Sequence, residues 1–198
     1  MKNKPFVLCV AAWIGGGKTT LVNELLNHLP RSKAIYFDSY RNITWRSFPA
    51  QNYYQWSISG NDYNEWNLEP IADDIENLLQ EELDFILLEI PMGKANKMIA
   101  QYIDCCVYLD VPIDILLARL IIRDYCKRSP DKRKLDNPME SLFEHMTDYV
   151  SHRRITVFNY IEKVKPLADY IVDGYQPIEK LVDDVLLYLN KKLTVTTL

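Results

Sequence analysis

The stretch Ala12-Trp13-Ile14-Gly15-Gly16-Gly17-Lys18-Thr19-Thr20 decides how the rest of the chain is read. Four residues stand between Ala12 and Gly17-Lys18-Thr19, the Walker A spacing, with Ala12 where glycine is commoner. Consecutive glycines let a backbone turn its N–H groups inward without Cβ clashes, which is how an anion is cradled. A helix opening at Lys18 would aim its positive end at the same point. Lys18 could then reach the β- and γ-phosphates of a nucleotide, and the Thr19 hydroxyl could ligate Mg²⁺. The bland alternative is a glycine-rich turn with a solvated lysine. It leaves unexplained why the loop sits between a strand pattern and a helix pattern.

Those patterns continue outward from the loop. Phe6–Ala11 is a continuous apolar run, as expected of a strand covered on both faces. Leu21, Val22, Leu25, Leu26 and Leu29 recur at helical spacing until Pro30 closes the run. Further strands are predicted at Ala34–Phe37, Phe85–Ile90, Cys105–Leu109 and Asp169–Val172. Helices are predicted over 68–83, from Pro112 to about Tyr125, over roughly 139–164 and over Pro177–Lys191. Such alternation predicts an α/β fold of the P-loop NTPase type. It is a three-layer sandwich, a parallel sheet of about five strands with helices on both faces. The charged, proline-containing segment 127–138 reads as a surface loop, and the expected layout is one domain over 1–198 with a short lid at about 124–138.

Composition narrows the classes. The 198 residues are 48% hydrophobic and 25% charged, ordinary globular usage that excludes a disordered or fibrous chain. A net charge of −4 lacks the basic footprint of a nucleic-acid binder. No apolar run approaches the ~18 residues of a membrane span. Cys9, Cys105, Cys106 and Cys126 lack metal-ligand spacing and read as reduced, mostly buried thiols, with Cys105 and Cys106 on opposite sheet faces. A cytoplasmic location is the expectation.

In parallel sheets the ligand crevice lies at the carboxyl ends of the strands. Asp38 follows the second strand and could accept a proton from an attacking hydroxyl, or serve as a turn aspartate. Glu89 ends the third strand, where a Walker B carboxylate orients Mg²⁺; a solvated strand end is the alternative. Arg119 and Arg123 share a helix face at i,i+4. They either carry positive charge to a transferred group or complement the helix dipole, and Asp124 is placed to pair with Arg128. Tyr53, Tyr54, Trp56, Tyr63 and Trp66, in the aromatic segment 41–66, are candidates to stack on an acceptor or to close the fold as a cluster. His28, His145 and His152 read as surface or satisfied histidines. Arg153 and Arg154 fit a phosphate contact or a solvated face.

Taken together, Ala11-Ala12 before the loop, Gly15–Thr20, Tyr36-Phe37-Asp38-Ser39-Tyr40, the run Leu116–Asp124 (LLARLIIRD) and Ala168–Gly174 (ADYIVDG) resemble one family in order. It is the uridine kinase-like branch of P-loop kinases, which includes phosphoribulokinase and bacterial pantothenate kinase relatives. The resemblance runs from about residue 5 to 174. It implies a phosphotransferase with an alcohol acceptor, using ATP and Mg²⁺. Ala12 to Thr20 would hold the nucleotide, Thr19 and Glu89 the metal. Asp38 would act as base toward the acceptor, and Lys18, Arg119 and Arg123 would face the phosphates. The acceptor would be nucleoside-like or another small hydroxyl-bearing metabolite. Relatives often assemble, which leaves a homo-oligomer open. Two departures stand out: Leu120 follows Arg119 where the family carries a second arginine, and Ile90-Pro91 follow the acid where glycine is common. The competing readings are an ATPase or nucleotide-dependent switch without a small acceptor, and a fold that has lost its chemistry. A GTPase lacks support, because Asn96-Lys97 and Asn190-Lys191 are not followed by the aspartate that guanine needs.

Overall fold

The computed structural model describes residues 4–40, 42, 53–126 and 137–196. Five parallel strands, β1 (Phe6–Ala11), β2 (Ser32–Tyr36), β3 (Phe85–Glu89), β4 (Cys105–Asp110) and β5 (Tyr170–Asp173), form one sheet in the order β2-β3-β1-β4-β5. Register is set by runs such as Val10 opposite Glu89 and Ala11 opposite Tyr108, so the carboxyl ends of β1, β3 and β4 lie level. The helices are α1 (Lys18–His28), α2 (Tyr53–Ile58), α3 (Glu69–Leu79), α4 (Lys97–Ala100), α5 (Ile113–Ile121), α6 (Pro138–Asp148), α7 (Arg154–Val164) and α8 (Ile178–Thr196).

Alternation along β1 shows why both faces are covered. Val7, Cys9 and Ala11 enter one core cluster, with Ile71 and Ile75 of α3 and Tyr160 and Val164 of α7. Leu8 and Val10 enter the other, with Leu21, Val22 and Leu25 of α1 and Val182, Val185 and Leu189 of α8. Successive side chains of a strand point to opposite faces, so a central strand buried on both must be apolar throughout. Cys105 and Cys106 divide in the same way, one into each cluster.

Two helices differ from their sequence expectation. The run predicted over 139–164 is α6, a π-helical turn at Tyr149–Arg153, and α7. Helix α5 likewise ends in a π turn at Ile122–Cys126. Apolar periodicity does not register one extra residue in a turn; it continues across both bulges. The Asp124 carboxylate accepts from Arg123 at 2.7 Å; its expected partner, Arg128, lies outside the described residues. Most of the expected lid, and most of 41–52, lie outside them too. No helix among the described residues is long and apolar enough to cross a membrane.

Candidate active site

The site is built at the carboxyl ends of the strands, beginning where β1 stops at Ala11. Gly15 and Gly17 take φ of +83° and +91°, the left-handed region closed to most side chains. Gly16 is required for a different reason. A Cβ there would stand 2.5 Å from the Ala12 Cβ and 2.9 Å from the Trp13 carbonyl oxygen. The Ala12 methyl therefore sits over Gly16, and alanine at the first loop position is matched by the missing side chain at the fifth. The Gly16 N–H closes the loop onto the Trp13 carbonyl at 2.9 Å. Gly17 is the N-cap of α1 and offers no side chain to its first amides, so that helix end is left open to an anion.

Two side chains of α1's first turn reach across to β3. Lys18 Nζ lies 3.5 Å from Glu89 Oε1, and the Thr19 hydroxyl donates to the same oxygen at 3.4 Å. Lys18 and Glu89 are both buried. Burial pushes the Lys18 ammonium below its ordinary range while Glu89 opposes the shift. Burial pushes the Glu89 carboxyl up while Lys18 opposes it, and the charge of Asp38 raises it further. Asp38 is exposed, in the 3₁₀ turn Phe37–Tyr40 that follows β2, and lines the same cavity. Ile14 and Thr20 line it as well, both exposed on the rim.

The two candidate arginines have different surroundings. Arg119 spends both terminal nitrogens on the Gly174 carbonyl, each at 3.3 Å, and so ties α5 to the turn after β5. Arg123 pairs with Asp124 in the π turn, and the charge of Asp38 also holds its guanidinium protonated. Both line the cavity.

On the far side, the aromatic residues that the sequence left open divide by depth. Tyr63, Trp56 and Trp66 are buried, and the Trp56 indole N–H donates to Glu65 at 2.7 Å, so Trp56 is part of the packing. Tyr53, Tyr54, Tyr63 and Trp66 line the cavity. The His152 ring lies 4.5 Å from Tyr54, with its Nδ1 on Asp148, and Arg153 donates to that same carboxylate. His145 meets the Tyr125 hydroxyl through Nδ1 at 3.0 Å. Sequence reasoning missed Tyr160 and the direction of the Trp13 ring. Trp13 packs against Tyr160, 147 positions away, and nothing local in either neighbourhood announces the contact.

Residues 61–176 match the model of the "Phosphoribulokinase / Uridine kinase family". A protein named "Uridine kinase" from Anoxybacillus flavithermus is 26% identical over 194 residues, with 87% of each chain covered. Another of that name, from Bacillus pumilus, is 25% identical, covering 87% of this chain and 88% of its own. Among solved structures, "Structure of a Possible Uridine Kinase from Bacillus stearothermophilus" superposes with a TM-score of 0.53 at 15% identity, covering 87% and 91% of the two chains. That likeness is one of fold: the same sheet with helices on both faces.

Proposed function

We propose that this chain, which belongs to the phosphoribulokinase / uridine kinase family, transfers the γ-phosphoryl group of MgATP to a hydroxyl of a small molecule. The observation that carries the reading is the convergence of Lys18 and Thr19 on Glu89 at the open end of α1, with Asp38 on the same cavity.

The backbone N–H groups at Gly15, Gly17 and Lys18 and the α1 dipole hold the nucleotide's phosphates. Lys18, charged and little hydrated, places its ammonium on the β- and γ-oxygens, where a buried cation acts more strongly than one in water. The Thr19 hydroxyl and the Glu89 carboxylate are a pair of hard oxygen donors already brought together, a set that suits Mg²⁺. The ion, when bound, would offset the charge of the phosphates. Asp38 receives the proton of the attacking hydroxyl, and its exposure leaves room for the acceptor. Arg123 supplies a further cation near Asp38, and Arg119 shapes the cavity beside Gly174. The acceptor enters over the aromatic side, between Trp13, Tyr53 and Tyr63.

The test is an ATP-consumption screen over nucleosides, pantothenate, ribulose 5-phosphate and small sugars, each compared with ATP alone. Stimulation by one compound, lost in Asp38→Asn, supports the kinase. Slow hydrolysis indifferent to every acceptor and to Asp38→Asn overturns it in favour of an ATPase.

A further inference from the structure

Two π turns border the cavity, Ile122–Cys126 at the end of α5 and Tyr149–Arg153 between α6 and α7. Such turns are rare and recur at functional sites. The first of them carries Arg123, whose charge is felt at both Lys18 and Asp38. Two residues further on, Tyr125 reaches across to α6. Its hydroxyl donates to the Ser141 carbonyl at 3.3 Å and meets His145 Nδ1 at 3.0 Å. Ser141 and His145 stand one helical turn apart, so a single hydroxyl grips one face of α6.

His145, read from the sequence as a surface or satisfied histidine, is satisfied at one nitrogen only. One hydroxyl proton cannot serve both Ser141 and His145. With that proton on the Ser141 carbonyl, it is Nδ1–H that donates to Tyr125, and Nε2 carries no proton. Nε2 is buried and has no hydrogen-bond partner among the described residues. A proton added there would be a buried donor with nothing to receive it, beside the charge of Arg153. The two carboxylates that face His145 are already engaged, Asp124 with Arg123 and Asp148 with His152 and Arg153. Burial first, and then Arg153, hold the imidazole below its ordinary range, while Asp124 and Asp148 oppose the shift.

We propose that Tyr125 and His145 form a latch between the Arg123 turn and α6, closed while His145 is neutral, which holds Arg123 toward the transferred phosphoryl group. The inference rests on the kinase reading above. Tyr125 and His145 are positioning residues in this scheme; they act through Arg123 and move no proton of the reaction. The pH dependence follows from the burial. Neutral His145 favours the closed latch, so the latch is intact above the ordinary histidine range and is lost as the pH falls below it. A charged His145 would compete for Asp124 or Asp148, and either exchange unpairs an arginine that lines the cavity. Turnover therefore carries an acid limb that belongs to neither Asp38 nor Glu89.

The test reads the latch and the turnover separately. The full chain has three histidines, and comparing its NMR titration with that of His145→Asn identifies the His145 signal. That signal titrates below about 6.5, and in Tyr125→Phe it moves back toward that value as the ring rehydrates. In the ATP-consumption assay with a stimulating acceptor, Tyr125→Phe lowers kcat about three- to tenfold, the usual worth of one hydrogen bond, and changes the KM for MgATP less. In an Arg123→Ala background the same change costs less than about twofold, since the residue it acts through is gone. His145→Asn keeps an N–H for Tyr125 and cannot take up a proton. It recovers most of what His145→Ala loses and shifts the acid limb to lower pH. A His145 that titrates at or above its ordinary value, or that is indifferent to Tyr125→Phe, overturns the proposal, as does an additive cycle with Arg123→Ala. The kinase reading fails on different grounds. ATP consumption indifferent to every acceptor removes it, and the histidine titration and the cycle, then run on acceptor-independent hydrolysis, still decide the latch.

Discussion

The Lys18 ammonium stands 3.5 Å from the Glu89 carboxylate at the buried foot of the glycine loop, and each opposes the cost of burying the other's charge. Removing one charge leaves the other stranded. Glu89→Gln keeps the shape and an acceptor for Thr19 but withdraws the counter-charge. Its MgATP affinity is expected to fall about 10–100-fold, the range for partners that orient a metal site, while metal-free ADP is affected less. Calorimetric titration with and without Mg²⁺ checks this; equal losses in both would take Glu89 out of the metal site.

Asp38 is expected to affect the chemical step alone. Its charge reaches Lys18 and Glu89, but it makes no hydrogen bond or ion pair with either, and it is exposed. Asp38→Asn should lower kcat about 10²–10⁴-fold, the usual worth of a general base, with the KM for MgATP within about twofold. A variant with wild-type turnover would exclude Asp38 from proton transfer.

The loop glycines are expected to fail in two distinct ways. A Cβ at Gly16 would meet the Ala12 Cβ at 2.5 Å, and Ala12 is buried at the end of β1 with nowhere to move. Gly16→Ala therefore has to reshape the loop, and nucleotide binding should fall more than about tenfold. At Gly17 nothing lies within 4 Å of an added Cβ, but φ is +91°. Gly17→Ala should cost about 1–2 kcal/mol of unfolding free energy from the left-handed backbone, and Gly17→Asn should recover part of it. Denaturant unfolding and nucleotide titration on the pair separate strain from collision; equal behaviour of the two alanine variants would contradict the geometry.

Thiol chemistry reports on the sheet. Cys126 is exposed, whereas Cys9, Cys105 and Cys106 are buried in the strands. Burial pushes the Cys105 thiol up to about 12, so at pH 8 it is protonated as well as inaccessible. An aromatic disulfide reagent should therefore label one thiol quickly in the folded chain and all four in guanidinium. Two fast thiols at pH 8 would show that β1 or β4 is open to solvent.

Much of the fold is legible in the chain because it follows from short-range rules. Phe6–Ala11 and Phe85–Glu89 are strands because central parallel strands have no polar face. Helix α1 starts at Lys18 because three glycines precede it and apolar residues recur behind it. Boundaries were less legible. β2 spans Ser32–Tyr36 where the apolar run indicated Ala34–Phe37, since backbone pairing with β3 includes Ser32 and Lys33, whose side chains carry no strand signal. The π turns at Ile122–Cys126 and Tyr149–Arg153 left no trace in the periodicity.

For the candidate site, the sequence by itself determined the glycine loop with its lysine and threonine, and the positions of the strand-end carboxylates Asp38 and Glu89. Each of these depends on residues within a few positions of one another, where spacing and φ/ψ preference decide the geometry. Only the tertiary structure decided the strand order β2-β3-β1-β4-β5, which carries Glu89 alongside β1 and brings Lys18 and Thr19 onto it. The same is true of Arg119 on the Gly174 carbonyl and of Trp13 against Tyr160. These are contacts between residues 55 and 147 positions apart, and they arise from how helices settle on the sheet. Local preference fixes a residue's backbone; packing among distant elements fixes what its side chain meets.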